Sequence, residues 1–364
     1  MKPGLSTCFS VLLLASLAAF TTAAAEIVVG DRRVSCAEDP ACINRLHPDI
    51  PMVAKAEPGE RIVFNGRDAF DLTLDPDEFS SAKSKPREGF GIVHALTGPV
   101  FIKGAKAGDV LAVTLEALEP DNVGWTEASR FGFAGDQFGM DGRFIVWRLD
   151  EEYAVSDALP GVRIPNASFP GVVTTLPDET LLADALAREA QLLDAGGAVL
   201  PPAPGEAEPA SLCGPEGSKP SECLRTIPPR EHGGNMDIRY ITTGTTVYLP
   251  CLVDGCGLAV GDFHYAQGDG EVAGTAIEMG GRLTVTTRIV DDPPDLSRGP
   301  HYEGPASVLG IPSERFYAVT GFPLKEKGSV PANLAYLESP KIADLSNLSA
   351  DINLAARNAL AAMI

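Results

Sequence analysis

The sequence reads REHGGNMD at residues 230–237, GDFH at residues 261–264 and GDGE at residues 268–271. Carboxylates, two histidines and an amide are concentrated here among glycines, and each histidine lies within five residues of an aspartate. A segment that contributes only to a stable core has little need of so many ionisable side chains. The stretch is therefore typical of a site that binds a metal ion or activates water.

Strand periodicity predicts how these side chains are placed. Side chains alternate faces along a strand, so Asp262 and His264 project from the same face. A carboxylate and an imidazole presented together suit a divalent cation. Asp269 and Gly270 predict a tight turn, followed by strands at residues 271–278 and 282–290. The cluster is predicted to lie on a β-meander whose turns and strand ends hold the polar groups.

Each of these residues also has a purely structural interpretation. Asp269 could act only as a turn former, and Asn235 could form an Asx-turn. His232 could cap the local backbone, Glu271 could face solvent, and Glu278 could be an edge charge. The concentration of these residue types favours a functional site more than any one of them does.

Several motifs resemble those of the acetamidase/formamidase family. IPPREHGGNMD at residues 227–237 is similar to the family's central motif, and VGDFHYAQGDGE at residues 260–271 resembles the motif that follows it. Further elements of similar sequence occur in the same order: LHPDIP at 46–51, TGP at 97–99, FPGVVTTLP at 169–177, GTAIE at 274–278 and YAVTGF at 317–322. The resemblance extends from about residue 44 to the end of the chain.

This resemblance implies a mostly β fold and the hydrolysis of short carboxamides, such as formamide or acetamide, with a metal ion involved. By motif position it points to candidate site residues. These are His94, His232, Asn235, Asp237, Asp262, His264, Asp269, Glu271 and Glu278. Asp68 lies at the place of an acidic residue in the first half of the family's sequence.

The predicted mechanism uses a cation that polarises the amide carbonyl and lowers the pKa of bound water. The preferred ligands are His232, Asp237, Asp262 and His264, with His94 and Glu278 in reserve. Glu271 or Asp269 is predicted to be the general base, and Asn235 to hydrogen-bond the substrate carbonyl or its oxyanion. Zn is favoured, while Mn and Ca also suit oxygen-rich ligation with two imidazoles.

The sequence leaves the substrate open, because residues 124–149 match the family's glycine-rich stretch only loosely. An alternative of another class is an exported protein that keeps the fold and perhaps the metal but binds its ligand without cleaving it. Two other hydrolase signatures are missing from the sequence: the Gly-x-Ser-x-Gly elbow and the His-Glu-x-x-His helix.

The amino terminus predicts export. Lys2 precedes an apolar run at residues 11–20, and small residues follow at 21–25. This pattern is typical of a secretory signal peptide cleaved before Glu26. The run is too short for a confident membrane span, so a soluble periplasmic or secreted protein is expected.

Six cysteines remain after the signal peptide, and an even number in an exported chain suggests disulfides. Sequence alone allows fifteen pairings of six cysteines. The cysteines fall into three local couples, which predict the pairings 36–42, 213–223 and 251–256. None of these couples has the Cys-x-x-Cys spacing of a thiolate metal site.

Composition and spacing bound the remaining features. The net charge of −20 argues against nucleic acid and anionic membrane partners, which leaves a small amide as the expected partner and a homo-oligomer as an open question.

The predicted fold is mainly β, a sandwich- or barrel-like core of meanders with a few peripheral helices, α+β overall. Apolar spacing predicts helices at residues 179–195 and 349–363. The glycines at 196–197 are expected to end the first helix. The buried face of the second is expected to consist of Ile352, Ala355, Ala356, Ala359, Leu360 and Met363. The predicted organisation is a signal peptide (1–25), an amino-terminal β-rich subdomain (26–175), a helix with a Pro/Gly-rich insertion (176–225) and a carboxy-terminal subdomain with the site (226–364).

Overall fold

A computed structural model describes residues 1, 26–72, 90–128, 143–194, 200–271, 273–310, 314–322 and 352–364 of the protein. Apart from Met1, the predicted signal peptide lies outside these ranges, as do the glycines at 196–197 that were expected to end the first helix. None of the described helices is long and apolar enough to cross a membrane.

The strands in the described ranges are β1 (Ile27–Val29), β2 (Cys42–Ile43), β3 (Arg45–Leu46), β4 (Ala54–Ala56), β5 (Arg61–Gly66), β6 (Leu96–Ile102), β7 (Val110–Ala128), β8 (Arg143–Leu149), β9 (Tyr153–Val155), β10 (Arg163–Pro165), β11 (Phe169–Thr174), β12 (Leu224–Arg225), β13 (Gly233–Asn235), β14 (Thr246–Pro250), β15 (Cys256–His264), β16 (Glu278–Ile289), β17 (His301–Pro305) and β18 (Arg315–Val319). The α-helices are α1 (Glu179–Asp194), α2 (Ala210–Cys213) and α3 (Ile352–Met363). Two short 3-10 helices lie at Cys36–Glu38 and Ala306–Leu309. The expectation of a mainly β chain with a few helices is confirmed.

Sixteen of the described strands form one sheet, whose longest path runs β10-β9-β8-β7-β16-β15-β11-β13. Most neighbours are antiparallel, but β1 pairs with β5 and β4 with β6 in parallel. The sheet combines strands from both halves of the chain, because β7 pairs with β16 and β11 pairs with β15. The subdomain boundaries at residues 175 and 226 remain a prediction.

The centre of the sheet is β15, and every one of its residues is buried. It is hydrogen-bonded to β11, β6 and β16, so most of its side chains must be apolar or small. Its Val260 and Phe263 join Phe64, Met279 and Leu283 in the main core. Two ionisable residues at the end of such a strand, Asp262 and His264, are therefore held rigidly by the surrounding apolar packing.

The strand predicted at residues 282–290 is confirmed as part of β16, but the strand predicted at residues 271–278 is wrong. Apart from Val272, which lies outside the described residues, this segment consists of turns that end at Glu278. Glu271 has φ 45° and Gly274 φ 86°, conformations that a regular strand cannot contain. The turns bring Glu271 back toward the sheet instead of continuing the meander.

Both predicted helices are present, as α1 and α3, although residues 349–351 lie outside the described ranges. The predicted buried face of α3 is wrong in part. Leu360 and Met363 are exposed, whereas Asn358 is buried and donates to the carbonyl of Phe322. Apolar spacing predicted that Leu360 and Met363 would be buried, but the polar Asn358 is buried instead.

All three predicted disulfides are present, joining Cys36 to Cys42, Cys213 to Cys223 and Cys251 to Cys256. The last pair lies where β14 is followed by β15. The pair at 36–42 packs with Val93, the residue that precedes His94.

Candidate active site and metal centre

Polar side chains from four parts of the chain converge at one end of β15. His264 ends β15 and is the register partner of Glu278, which begins β16. Asp262 lies two residues before His264, and Asp237 follows β13. Glu271 reaches the same place from the turns between β15 and β16.

The distances between these groups are short. The Nε2 atom of His264 lies 3.4 Å from Oδ1 of Asp262 and 3.3 Å from Oε2 of Glu278. One set of candidate ligand atoms, on Asp237, Asp262 and His264, lies within 4.8 Å of one another. A second set, on His264, Glu271 and Glu278, meets the same limit, so His264 is common to both.

The backbone directs three of these carboxylates inward through an unusual conformation. Asp237, Asp262 and Glu271 have positive φ values of 49°, 56° and 45°. Non-glycine residues adopt this region rarely, and such residues cluster at functional sites where the surrounding structure enforces them. Asp262 and His264 thus meet at the site, but Asp262 does so from a left-handed backbone and not from the regular strand that alternation assumes.

Gly171 of β11 allows these groups to pack directly against its backbone. A Cβ atom at Gly171 would lie 2.4 Å from Oδ2 of Asp262, 2.7 Å from Oδ1 of Asp237 and 2.9 Å from Cε1 of His264. Within the described residues, Oδ1 of Asp237, Nε2 of His264 and Oε2 of Glu278 are buried and have no hydrogen-bond partner. Buried polar atoms without partners are costly, so this donor set fits a divalent cation held by oxygen and nitrogen.

The buried groups shift one another's pKa values in opposite directions. Burial alone would lower the pKa of His264, but the carboxylates of Glu278 and Asp262 raise it well above its usual value. Burial would raise the pKa of Asp262, but His94 and His264 lower it. Burial and the neighbouring carboxylates raise the pKa values of Asp237 and Glu271. One carboxylate is thus kept ionised while others hold protons readily, as acid–base chemistry requires.

His94 lies at the border of this cluster, with its Nε2 atom 3.9 Å from Oδ2 of Asp262. Its backbone N–H donates to Oγ1 of Thr226 at 2.6 Å, and its Nδ1 atom lies 3.2 Å from the same hydroxyl. Thr226 therefore fixes the ring so that Nε2 faces the carboxylates. Burial lowers the pKa of His94, which favours the neutral imidazole that a metal ion needs.

His232 belongs to neither of the two donor sets, so its role as a ligand stays a prediction. Its side chain is buried, and Nδ1 lies 2.7 Å from Oγ1 of Thr174. Its Nε2 atom is buried and has no hydrogen-bond partner in the described structure. Burial and the nearby Arg230 lower its pKa to about 4.

Asp269 and Asn235 have different surroundings. Asp269 is a poor candidate for the base, because its carboxylate is 70% exposed and pairs with Arg239 at 2.7 Å. Asn235 donates its Nδ2 hydrogen to the carbonyl of Ile227 at 3.0 Å, which leaves Oδ1 buried and without a partner in the described structure. Asn235 therefore keeps its Oδ1 as an acceptor and its second Nδ2 hydrogen as a donor, which is what stabilising an oxyanion needs.

Asp68 lies beside the cluster and not in it. Its Oδ1 atom accepts hydrogen bonds from Nε1 of Trp125 and from the N–H of Phe70. Burial raises its pKa to about 7 although these hydrogen bonds oppose the shift. Asp68, Trp125 and Glu278 line a cleft of about 930 Å³, which brings solvent-accessible space close to the cluster.

Sequence reasoning assigned no role to Gly171, Thr226 or Trp125. Gly171 lies in the segment at 169–177 whose resemblance was noted, but only its register opposite β15 shows what it does. Trp125 is the register partner of Glu278 and belongs to the stretch that resembles the family only loosely. No local sequence pattern connects the indole of Trp125 to Asp68, so sequence reasoning could not place it beside the site.

The β fold buries several acid–base groups close to one another. This arrangement suits a hydrolase that acts on a small substrate. The acetamidase/formamidase family model matches residues 30–344. The chain therefore belongs to the acetamidase/formamidase family of amidohydrolases.

Two curated relatives are similar to this chain at the same level. The formamidase of Methylophilus methylotrophus is 33% identical over 268 residues, which cover 68% of this chain and 64% of the relative. The acetamidase of Mycolicibacterium smegmatis is 33% identical over 271 residues, covering 68% of this chain and 65% of the relative. The chain thus spans slightly less than two thirds of the length of these two enzymes.

Among solved structures, the gamma lactamase from Delftia acidovorans has a TM-score of 0.68 and 31% sequence identity to this chain. The similarity covers 85% of this chain and 74% of the lactamase chain.

Proposed function

We propose that this protein hydrolyses small linear carboxamides, of the formamide or acetamide type, to ammonium and a carboxylate. The observation that carries the proposal is the convergence of Asp237, Asp262, His264, Glu271 and Glu278, made possible in part by the missing side chain of Gly171. Family membership and the named activities of the Methylophilus and Mycolicibacterium relatives support the amide bond as the target.

The proposal includes a divalent cation held by Asp237, Asp262 and His264, with Glu278 and His94 adjoining. Zn is favoured, and Mn or Ca also suits a donor set so rich in oxygen. Such a cation, when bound, polarises an amide carbonyl and lowers the pKa of a water molecule. The unpartnered buried atoms of Asp237, His264 and Glu278 support its presence.

Glu271 is the general base of the proposed reaction. Its carboxylate accepts a proton from the attacking water, and the same proton then passes to the amide nitrogen as the C–N bond breaks. Burial and the carboxylate of Asp237 raise the pKa of Glu271. A cation bound beside it would lower that pKa and leave the carboxylate ionised to accept the proton. Its partial exposure leaves room for a water molecule and for departing ammonia.

Asn235 orients the substrate through its oxygen. One Nδ2 hydrogen is used by the carbonyl of Ile227, and the unpartnered Oδ1 can accept an N–H from the substrate amide. The second Nδ2 hydrogen remains for the contact to the substrate carbonyl or its oxyanion that the sequence predicts.

Export to the periplasm or the medium is part of the proposal. The signal-peptide pattern at residues 1–25 supports it, as do the three disulfides, which are typical of an oxidising compartment.

The test is ammonia release from formamide, acetamide, propionamide and larger amides, measured with and without a chelator and combined with elemental analysis of the purified protein. A γ-lactam belongs in the panel because of the similarity to the Delftia enzyme. Metal-dependent release from a short linear amide supports the proposal. Bound metal with no release from any amide would instead support the alternative of a ligand-binding protein.

A further inference from the structure

Two surface segments flank the open side of the carboxylate cluster. The Asp237 loop, residues 236–240, follows β13, and the Glu271 turn, residues 267–271, follows β15. All residues of the Asp237 loop are half-buried, and Glu271 is half-buried while its neighbours 268–270 are exposed. The cluster therefore meets solvent between these two segments.

The two segments are tied together on their outer side. The guanidinium of Arg239 donates to both oxygens of Asp269, at 2.7 and 3.4 Å. The same guanidinium donates to the hydroxyl of Tyr240 at 2.9 Å, which limits its freedom. Gln267 adds a second tie by donating to the carbonyl of Asp237 at 2.9 Å.

The positions of these residues are symmetric about the cluster. Arg239 lies two residues after Asp237, and Asp269 lies two residues before Glu271. On the inner side the carboxylates of Asp237 and Glu271 both belong to candidate ligand sets that share His264. On the outer side the opposite charges of Arg239 and Asp269 attract and join the two segments.

The Glu271 turn needs such a tie more than the Asp237 loop does. Asp237 and Met236 donate their backbone N–H groups to the carbonyl of Gly171 on β11. Within the described residues, the backbone hydrogen bonds of Glu271 run only to Gly268 and Gly274, which are close to it in sequence. A left-handed glutamate costs free energy and persists only where its surroundings enforce it.

We propose that the Arg239–Asp269 ion pair is a clasp that holds the Glu271 turn against the Asp237 loop and so positions the carboxylate of Glu271. Asp269 is then a positioning residue, which accounts for an acidic residue at this place without giving it a role as base. The catalytic consequence rests on the proposed function, but the mechanical consequence does not.

The variants Asp269→Asn, Arg239→Met and their combination test the clasp. The matched control is Asp157→Asn, because the Arg148–Asp157 pair has a similar length of 2.6 Å and similar exposure. We expect each clasp variant to lower kcat by roughly two- to fivefold, the range that one exposed ion pair can supply, with little change in KM. The double variant should lose no more than the stronger single variant, and the control should retain full kcat.

The dependence of kcat on ionic strength is a second test, because a purely structural role of the ion pair would not make kcat depend on salt. Exposed charges are screened by salt, so added salt should lower kcat in the parent and much less in Asp269→Asn. Thermal stability should change little in all variants, because exposed ion pairs contribute little to it.

Hydrogen exchange separates a failure of the clasp from a failure of the proposed function, because it needs no turnover. Faster exchange in residues 268–271 of Asp269→Asn and Arg239→Met, but not of Asp157→Asn, supports the clasp even if no amide is hydrolysed. Unchanged exchange in this turn overturns the clasp whatever the activity. Loss of activity in Asp269→Asn with full activity in Arg239→Met also overturns it, because Asp269 would then act without its partner.

Discussion

Gly171 on β11 lies opposite Asp262 on β15, between the register pairs Pro170–Phe263 and Val172–Gly261. The absence of a side chain at Gly171 is what allows Asp262 and Asp237 to approach the same point. The backbone at Gly171 does not have the left-handed φ that favours glycine, so the requirement there is for space alone.

Gly171→Ala should therefore act as a steric probe of the site. A methyl group 2.4 Å from Oδ2 of Asp262 must displace that carboxylate or Asp237. Displacements of about 1 Å can cost about a hundredfold in rate, so we expect a loss of that order in amide hydrolysis together with loss of bound metal. Enzyme assay and elemental analysis measure the two effects.

Gly268→Ala is the matched control for this variant. Gly268 lies in the neighbouring turn, has no left-handed φ, and a Cβ there would meet nothing within 4 Å. It should keep both metal and activity. If Gly171→Ala keeps metal and activity as Gly268→Ala does, the close approach of Asp262 to Gly171 is not required for the site.

His232 should act as a structural group whose effect appears in the pH dependence of stability. Its pKa is about 4 in the folded protein and about 6.5 when unfolded, so the unfolded chain binds more protons between these values. Its contribution to the free energy of unfolding is complete at pH 7 and is lost as the pH falls toward 4.

His232→Gln removes this titration. Relative to the variant, the parent should lose about 2 kcal/mol of unfolding free energy between pH 7 and pH 5. Denaturant unfolding at several pH values measures the difference, and the variant should keep its metal. Parallel pH profiles for the two proteins, or loss of metal from the variant, would show that His232 has another role.

Export predicts the covalent form of the mature protein. Mass mapping of the native, non-reduced protein should find an amino terminus at or near Glu26 and the disulfides 36–42, 213–223 and 251–256. Retention of Met1 in the mature chain would contradict export, and free thiols at Cys251 and Cys256 would contradict the disulfide at the start of β15.

Local patterns in the sequence predicted the elements that depend on local spacing. The apolar repeat gave α1 correctly, and short separations between cysteines gave all three disulfides. Alternation and turn residues predicted most of β16, while the mainly β fold was implied by the family resemblance. These features follow from interactions between residues close in sequence, which a pattern can represent.

The site depends on contacts that such patterns do not contain. Gly171 and Asp262 are far apart in sequence, and only the β11–β15 register brings them together. Nothing in the sequence distinguishes His232, whose ring meets Thr174, from His264, whose ring meets two carboxylates. The left-handed turn at Glu271 likewise replaced a predicted strand, because a site requirement overrode local preference.

The most direct measurement of the central claim compares Glu271→Gln with the parent in amide hydrolysis and in metal content. The change keeps the size of the side chain but removes its ability to accept a proton. Because a positioned acid–base group typically contributes about a hundredfold to ten-thousandfold in rate, ammonia release should fall by at least about a hundredfold while bound metal is retained. Full ammonia release from the metal-loaded Glu271→Gln variant would contradict the account, because the proton would then be accepted elsewhere.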